Sequence, residues 1–276
     1  ESNLLSKNSN DYVKRDAENF FHTIKDQLTK FKSKSIKKSV ISSKEKISFN
    51  PVFLVGFPRS GTTLLDTILR SHSRIEVVEE QSMLANAQNF FHTKGYNGLL
   101  TKKLPAKLLA EAREVYKLEF EKHIEGFNSS CVYIDKLPLN LLKVALIKQL
   151  YPQGKFILAL RHPMDTIFSC WIQNFKLNPA MANMVDLDRV VDFYCMAMEI
   201  FKLCRIKYNL NVHEIRYEDL LDNLGKETTS LLKFLDLNWE TQMQNYRETA
   251  FNRGLINTPS YSQVVQPIYK DAKYRW

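Results

Sequence analysis

Glycine is scarce in this sequence, 8 residues in 276, and the chain carries no internal repeat and no low-complexity tract. Cysteine is scarcer. The four present, Cys131, Cys170, Cys195 and Cys204, lack CxxC spacing and lie in apolar strand-like or helix-like segments. That pattern argues against a disulfide scaffold and points to a reduced, cytoplasmic protein. No apolar run approaches the ~18 to 20 residues that cross a bilayer, so no membrane span is expected. The segment opens with neither Met nor a signal peptide, so residue 1 need not be the native start. Basic residues outnumber acidic ones 39 to 30, a net charge of +9 that suits an anionic partner. The most basic run, KSKSIKK at 32–38, contains no aromatic residue. A nucleic-acid-binding surface would interleave the two, so no nucleic acid is expected as partner.

The hydrophobic content of 44% is enough for one α/β core with an appendage. Val13, Ala17, Phe20, Phe21, Ile24, Leu28 and Phe31 recur at helical spacing, which predicts an amphipathic helix over 12–31. A lysine- and serine-rich linker follows to residue 46, so the organisation read here is a helix and linker over 1–46 and an α/β domain over 47–276. Short apolar strand candidates are Val52–Gly56, Cys131–Ile134, Lys155–Leu160 and Asn211–Arg216. Helical patterns fall near 61–71, 80–92, 105–125, 138–150, 163–175, 186–208 and 224–236, and from about 245 the chain reads as irregular. Short continuous strands alternating with helices indicate a parallel sheet with helices on both faces, a three-layer sandwich of P-loop type.

The stretch FLVGFPRSGTTLLDTILRSH, 53–72, reads as strand, tight loop and helix, the construction of a phosphate-binding loop. The Walker frame of Gly, four residues, Gly and Lys is broken, because Thr62 follows Gly61 where lysine belongs and Arg59 sits inside the loop. Ligands of such sheets bind at the carboxyl ends of the strands. Those ends read Pro58-Arg59-Ser60-Gly61-Thr62-Thr63, Asp135-Lys136, Arg161-His162-Pro163 with Ser169 on the helix after it, and Arg216-Tyr217-Glu218-Asp219. Cations and hydroxyls converge there, and carboxylates are few. A Mg-dependent phosphoryl transferase would want the Walker lysine and a metal-holding Asp. Transfer of a sulfuryl group, which carries less charge, could use Arg and Lys donors in place of both.

VFLVGFPRSGTT and FILALRHPMDTIFS, with IRYEDL, resemble the 5′-phosphosulfate and 3′-phosphate signatures of sulfotransferases that use 3′-phosphoadenosine 5′-phosphosulfate (PAPS). The resemblance covers 50–276 and is nearest to the tyrosylprotein sulfotransferases and to bacterial sulfotransferases linked to tetratricopeptide repeats. It implies a five-stranded parallel sheet, PAPS as co-substrate, 3′,5′-adenosine bisphosphate as product, and no metal. It implies that Ser60, Gly61, Thr62 and Thr63 hold the 5′-phosphate, and that Arg161 and Ser169 hold the 3′-phosphate. Tyr217 would lie near the nucleotide, Arg59 would touch the sulfuryl group, and Glu80 would be the general base. Lys136 and Ser260 would stabilise the transition state, while Gln263 and Arg275 would belong to a cap over the nucleotide. Gln173 stands where the tyrosylprotein enzymes have a phosphate-binding arginine.

The acceptor implied is a hydroxyl on a peptide, a saccharide or a small molecule, and a homodimer is an allowed assembly. Rival readings are a P-loop kinase using ATP and Mg and a non-catalytic nucleic-acid-binding protein. Several residues keep two readings. Glu80 is taken to open a helix, where the dipole favours acids anyway, and Glu79 has the same credentials. Asp135 reads as a metal-holding Asp or an N-cap-like residue. His162 reads as a turn residue, and Cys170, Met196 and Met198 as core.

Overall fold

The structure, a computed structural model, describes residues 11–33, 47–96 and 104–252. Its centre is β1, Val52–Gly56, whose five residues are all buried. A strand covered on both faces must be apolar throughout, which is why VFLVG lacks the alternation of a half-exposed strand. Around it lie β2 (Ile75–Glu79), β3 (Val132–Lys136), β4 (Lys155–Leu160) and β5 (Asn211–Arg216), in the order β2-β3-β1-β4-β5. All four pairings are parallel, as the sequence reading expects of the sheet. Phe53, Val55, Val78, Tyr133, Phe156 and Leu158 face one core, beneath the helices Ala106–Glu121, Val144–Leu150 and Leu187–Tyr208. Leu54, Val77, Ile134, Ile157 and Ile215 face the other, beneath Thr62–Arg70 and Leu224–Phe234.

The helix expected near 12–31 runs Asp11–Ser33 and puts Phe21, Ile24 and Phe31 into the first of these cores. Two buried side-chain amides tie it down: Gln27 Nε2 donates to Leu142 O at 2.7 Å, and Asn183 Nδ2 donates to Ala17 O at 3.1 Å. Phe20 meets Phe193 edge to face at 5.7 Å. This helix therefore shares the core of the sheet. Residues 34–46, the greater part of the basic linker, lie outside the described residues.

Three local expectations need correction. The segment 75–79 is a strand that the sequence reading left out, and the helix expected from residue 80 starts at Met83. IEVVE is short, carries acids at two of five positions, and sits on a sheet edge, so only its pairing with β3 identifies it. Consequently Glu80 opens no helix. It is the first residue beyond β2, in the left-handed region at φ 53, and its N–H donates to Lys136 O at 2.8 Å. Strand β3 extends to Lys136 rather than stopping at Ile134. Near the end of the described chain, Tyr246–Asn252 is helical where irregular structure is expected, and Tyr246 is buried.

Asp135 takes neither of its two readings. Strand residues alternate between faces, and Asp135 pairs with Phe53 whereas Lys136 pairs with Leu54. Asp135 thus projects into the aromatic core, wholly buried, where Tyr116 Oη donates to its Oδ2 at 2.7 Å. No cluster of His, Cys, Asp and Glu suited to a metal occurs among the described residues.

Burial pushes the Asp135 carboxyl up to about 7, against the opposing pull of the Tyr116 hydrogen bond and of Lys143. A carboxyl whose folded value lies above its unfolded one contributes stability that is complete below the unfolded value and is lost as pH rises through the folded value. Asp135→Asn should therefore gain stability relative to the parent as pH rises from about 5 to about 8. Denaturant midpoints at both pH values check it, and parallel curves would contradict it.

Candidate active site

Strand β1 runs directly into the loop 57–61, and helix Thr62–Arg70 follows. Ser60 N–H donates to Phe57 O at 3.2 Å, closing the turn. Arg59 and Gly61 both have positive φ, 68° and 94°, a backbone that gathers successive N–H groups into a concavity. Glycine at 61 is required twice over. Its φ is costly for any residue with a Cβ, and a Cβ there would lie 2.6 Å from Tyr217 Cδ2. Gly56 is equally confined, since a Cβ would meet Ser60 Oγ at 2.5 Å and Ala159 O at 2.7 Å. Ser60 Oγ is buried with no hydrogen-bond partner among the described residues. Thr62 and Thr63, opening the helix, are also buried.

Three elements converge on this loop. Arg59 Nε donates to Ser169 Oγ at 3.1 Å, which links the loop to helix Pro163–Trp171. Cys170 Sγ donates to Pro58 O at 3.2 Å from the same helix, so this core cysteine also anchors the loop. Burial pushes the Cys170 thiol up to about 12, leaving it protonated and unreactive. Arg161, just beyond β4, donates from Nη1 to Arg59 O at 3.3 Å, and its guanidinium lies 5.0 Å from the centroid of the Tyr217 ring. Burial lowers the Arg59 guanidinium from its ordinary value, and the nearby Arg161 acts in the same direction. Burial raises the Tyr217 phenol, against the pull of Arg161 and Arg59.

His162 is the turn residue it was expected to be, at the N-cap of Pro163–Trp171, where its N–H donates to Glu218 Oε1 at 2.8 Å. Glu218 has no role in the sequence reading. Its signal was the IRYEDL motif itself, whose acid follows Tyr217 directly.

A second cluster lies at the end of β3, the strand beside β1. The Lys136 ammonium is fully buried and touches two carboxylates: Glu79 Oε1 at 2.5 Å and Glu80 Oε1 at 3.0 Å. The structure thus groups Arg59, Ser60, Gly61, Arg161, Ser169 and Tyr217 on one side and Glu80 with Lys136 on the other. Gln173, one turn after Ser169, donates from its backbone N–H to Cys170 O at 3.3 Å and from Nε2 to Asn174 O at 3.4 Å. Ser260, Gln263 and Arg275 lie outside the described residues.

A parallel sheet whose central strand ends in a glycine-turned loop, with cations at the neighbouring strand ends, is an α/β architecture of P-loop type. Residues 51–241 match the model of the sulfotransferase family, and the chain belongs to that family. It is 25% identical to protein-tyrosine sulfotransferase 1 of Danio rerio over 241 residues, covering 82% of this chain and 65% of the relative. It is 24% identical to protein-tyrosine sulfotransferase A of Caenorhabditis elegans, over 82% of this chain and 60% of the relative. An Aquifex aeolicus (strain VF5) protein, described as uncharacterized, is 27% identical across 83% of this chain but only 30% of its own length. The chain therefore spans less than two thirds of these relatives. In fold it is similar to the sulfotransferase domain of the Synechococcus PCC 7002 olefin synthase, with a TM-score of 0.57 and 20% identity over 88% of this chain and 91% of that one. No helix among the described residues is long and apolar enough to cross a membrane.

The loop geometry makes a direct prediction. Gly61→Ala should lower stability by about 1–2 kcal/mol for the left-handed backbone alone, and by more for the displaced Tyr217 ring. Gly225→Ala, in helix Leu224–Phe234 with open space around it, should be neutral or stabilising. Urea midpoints of the two variants compare them, and an undisturbed Gly61→Ala would refute the loop geometry.

Proposed function

We propose that this chain transfers a sulfuryl group from PAPS to an acceptor hydroxyl. The observation that carries the reading is the Arg59–Ser169–Arg161–Tyr217 cluster around a phosphate loop without a Walker lysine. The residues suit the co-substrate. The buried, unpartnered Ser60 Oγ asks for an acceptor such as a 5′-phosphate oxygen, with Gly61, Thr62 and Thr63 beside it. Arg161 and Ser169 would take the 3′-phosphate, the group that separates this donor from ATP. Tyr217 would lie against the nucleotide, and Gln263 and Arg275 would cover it.

In this mechanism the acceptor oxygen attacks sulfur in line, the bond from sulfur to the 5′-phosphate oxygen breaks, and the acceptor proton passes to Glu80. Arg59 meets the sulfuryl oxygens, and Lys136 meets the leaving oxygen, with Ser260 assisting. Fixed donors aimed at developing charge supply most of the acceleration in such a site. Arg59 and Lys136 take the charge-neutralising role that a metal has in phosphoryl transfer. The acceptor class favoured is a protein tyrosine, on the strength of the protein-tyrosine sulfotransferases among the relatives. Saccharide and small phenol hydroxyls are the alternatives that an acceptor panel with labelled PAPS would separate.

Donor choice is read first by thermal shift. The 3′,5′-bisphosphate should stabilise the protein without magnesium, by about 2.7 kcal/mol at a hundredfold excess over Kd. Stabilisation by ATP with Mg and none by the bisphosphate would make the chain a kinase. Arg161→Ala should weaken the bisphosphate by about 1.5 to 3 kcal/mol, the worth of a charge-assisted bond, with a far smaller loss for a nucleotide lacking the 3′-phosphate. Paired calorimetric titrations test the difference, and equal losses would place Arg161 elsewhere. Glu80→Gln keeps the size and removes the base, so kcat should fall ~10² to 10⁴ with bisphosphate affinity nearly unchanged. Steady-state turnover beside calorimetry reads both, and unimpaired turnover would exclude Glu80 as the base.

A further inference from the structure

Glu79 has no part in the mechanism above, yet it makes the shorter contact with Lys136, 2.5 Å against 3.0 Å for Glu80. Its position follows from sheet pairing. Glu79 is the last residue of β2 and the register partner of Lys136, the last residue of β3. Paired residues on neighbouring strands project from the same face, so the two side chains meet without any help from a loop. Glu80 is held differently, one residue beyond the strand on a left-handed turn. Exposure separates them further: the Glu79 side chain is 12% exposed, that of Glu80 41%, and Lys136 is fully enclosed.

The roles divide on these facts. An ammonium enclosed by protein is tolerated only when paired. If Glu80 were its sole partner, each turn of Glu80 toward an acceptor hydroxyl would strand that charge. We infer that Glu79 is a positioning residue, the fixed counter-charge that seats the Lys136 side chain and so releases the more exposed Glu80 for proton transfer. An ammonium has three N–H donors. The two carboxylates take two of them, and the third is the one a leaving oxygen would use. The inference rests on the sulfuryl-transfer reading for what Lys136 and Glu80 do, but the seating of Lys136 is measurable without turnover.

The test compares Glu79→Gln, Glu80→Gln and the parent as full chains. First, the rate at which a water-soluble N-hydroxysuccinimide ester acylates Lys136 is followed by peptide mass spectrometry. Glu79→Gln should raise it at least about tenfold, through loss of the contact that holds the amine in its enclosed position, whereas Glu80→Gln should change it by no more than about threefold. Equal protection of Lys136 in the parent and in a folded Glu79→Gln overturns the proposal. Second, kcat of Glu79→Gln should fall about tenfold to a hundredfold with donor KM little changed, while the acidic limb of its pH–rate profile persists because Glu80 still takes the acceptor proton. Loss of that limb in Glu79→Gln, and its survival in Glu80→Gln, would make Glu79 the base and overturn the division of roles. If Glu79→Gln does not fold, Glu79→Asp keeps the charge on a shorter arm and should show intermediate labelling and intermediate kcat, with parent-like labelling as the adverse result. A parent inactive with PAPS on every acceptor, but with Lys136 labelled as expected, would sink the sulfuryl-transfer reading and leave the seating of Lys136 standing.

Discussion

Close packing at the end of β1 is the constraint on which the site depends. Gly56 lies against Ala159 of β4 and against Ser60 of the following loop, with no room for even a methyl group. The loop can fold back on the strand end only because that space is occupied by nothing but backbone. Once it does so, Arg59 reaches Ser169, the Pro58 carbonyl meets Cys170, and Tyr217 closes over Gly61. Three separate segments, the end of β4, helix Pro163–Trp171 and Tyr217, are thereby registered against one turn of five residues, 57–61. Parallel pairing does the rest, because it brings every strand to the same edge of the sheet with its carboxyl end outward.

The cations at that edge are held in two ways. Lys136 is enclosed and sits against two carboxylates, an arrangement that fixes its position. Arg59 donates to the Ser169 hydroxyl, and Arg161 donates to the Arg59 backbone carbonyl and lies over the Tyr217 ring. Those contacts orient the guanidinium groups toward the loop. The same strand that carries Lys136 also carries Asp135, which points the other way into an aromatic core. One residue of register separates a site cation from a buried carboxyl that bonds only within the core. That is the usual consequence of a two-residue repeat.

Much of this was legible before the structure. The strand–loop–helix at 52–70 declares itself because its signal is local: an apolar run, two glycines five apart and hydroxyls opening a helix lie within twelve residues. Arg161 and Ser169 are likewise placed by local patterns, an apolar strand and the Pro-opened helix after it. Helix Asp11–Ser33 announced its buried face through the spacing of Phe21, Ile24 and Phe31. In each case the pattern that creates the element is contained in the element.

The sequence by itself determined the class of sheet, the anion loop and the identity of the cations, since these follow from short-range periodicity and turn chemistry. Only tertiary structure decided that IEVVE is a strand, that Glu80 follows it on a left-handed turn, and that Glu79 meets Lys136. Five residues with acids at two positions match a helix start as well as a strand. What selects the strand is a ladder of hydrogen bonds to β3, more than fifty residues away in the chain. No local pattern records a partner at that distance, and so the two carboxylates looked interchangeable until register set one against the lysine and left the other at the open edge.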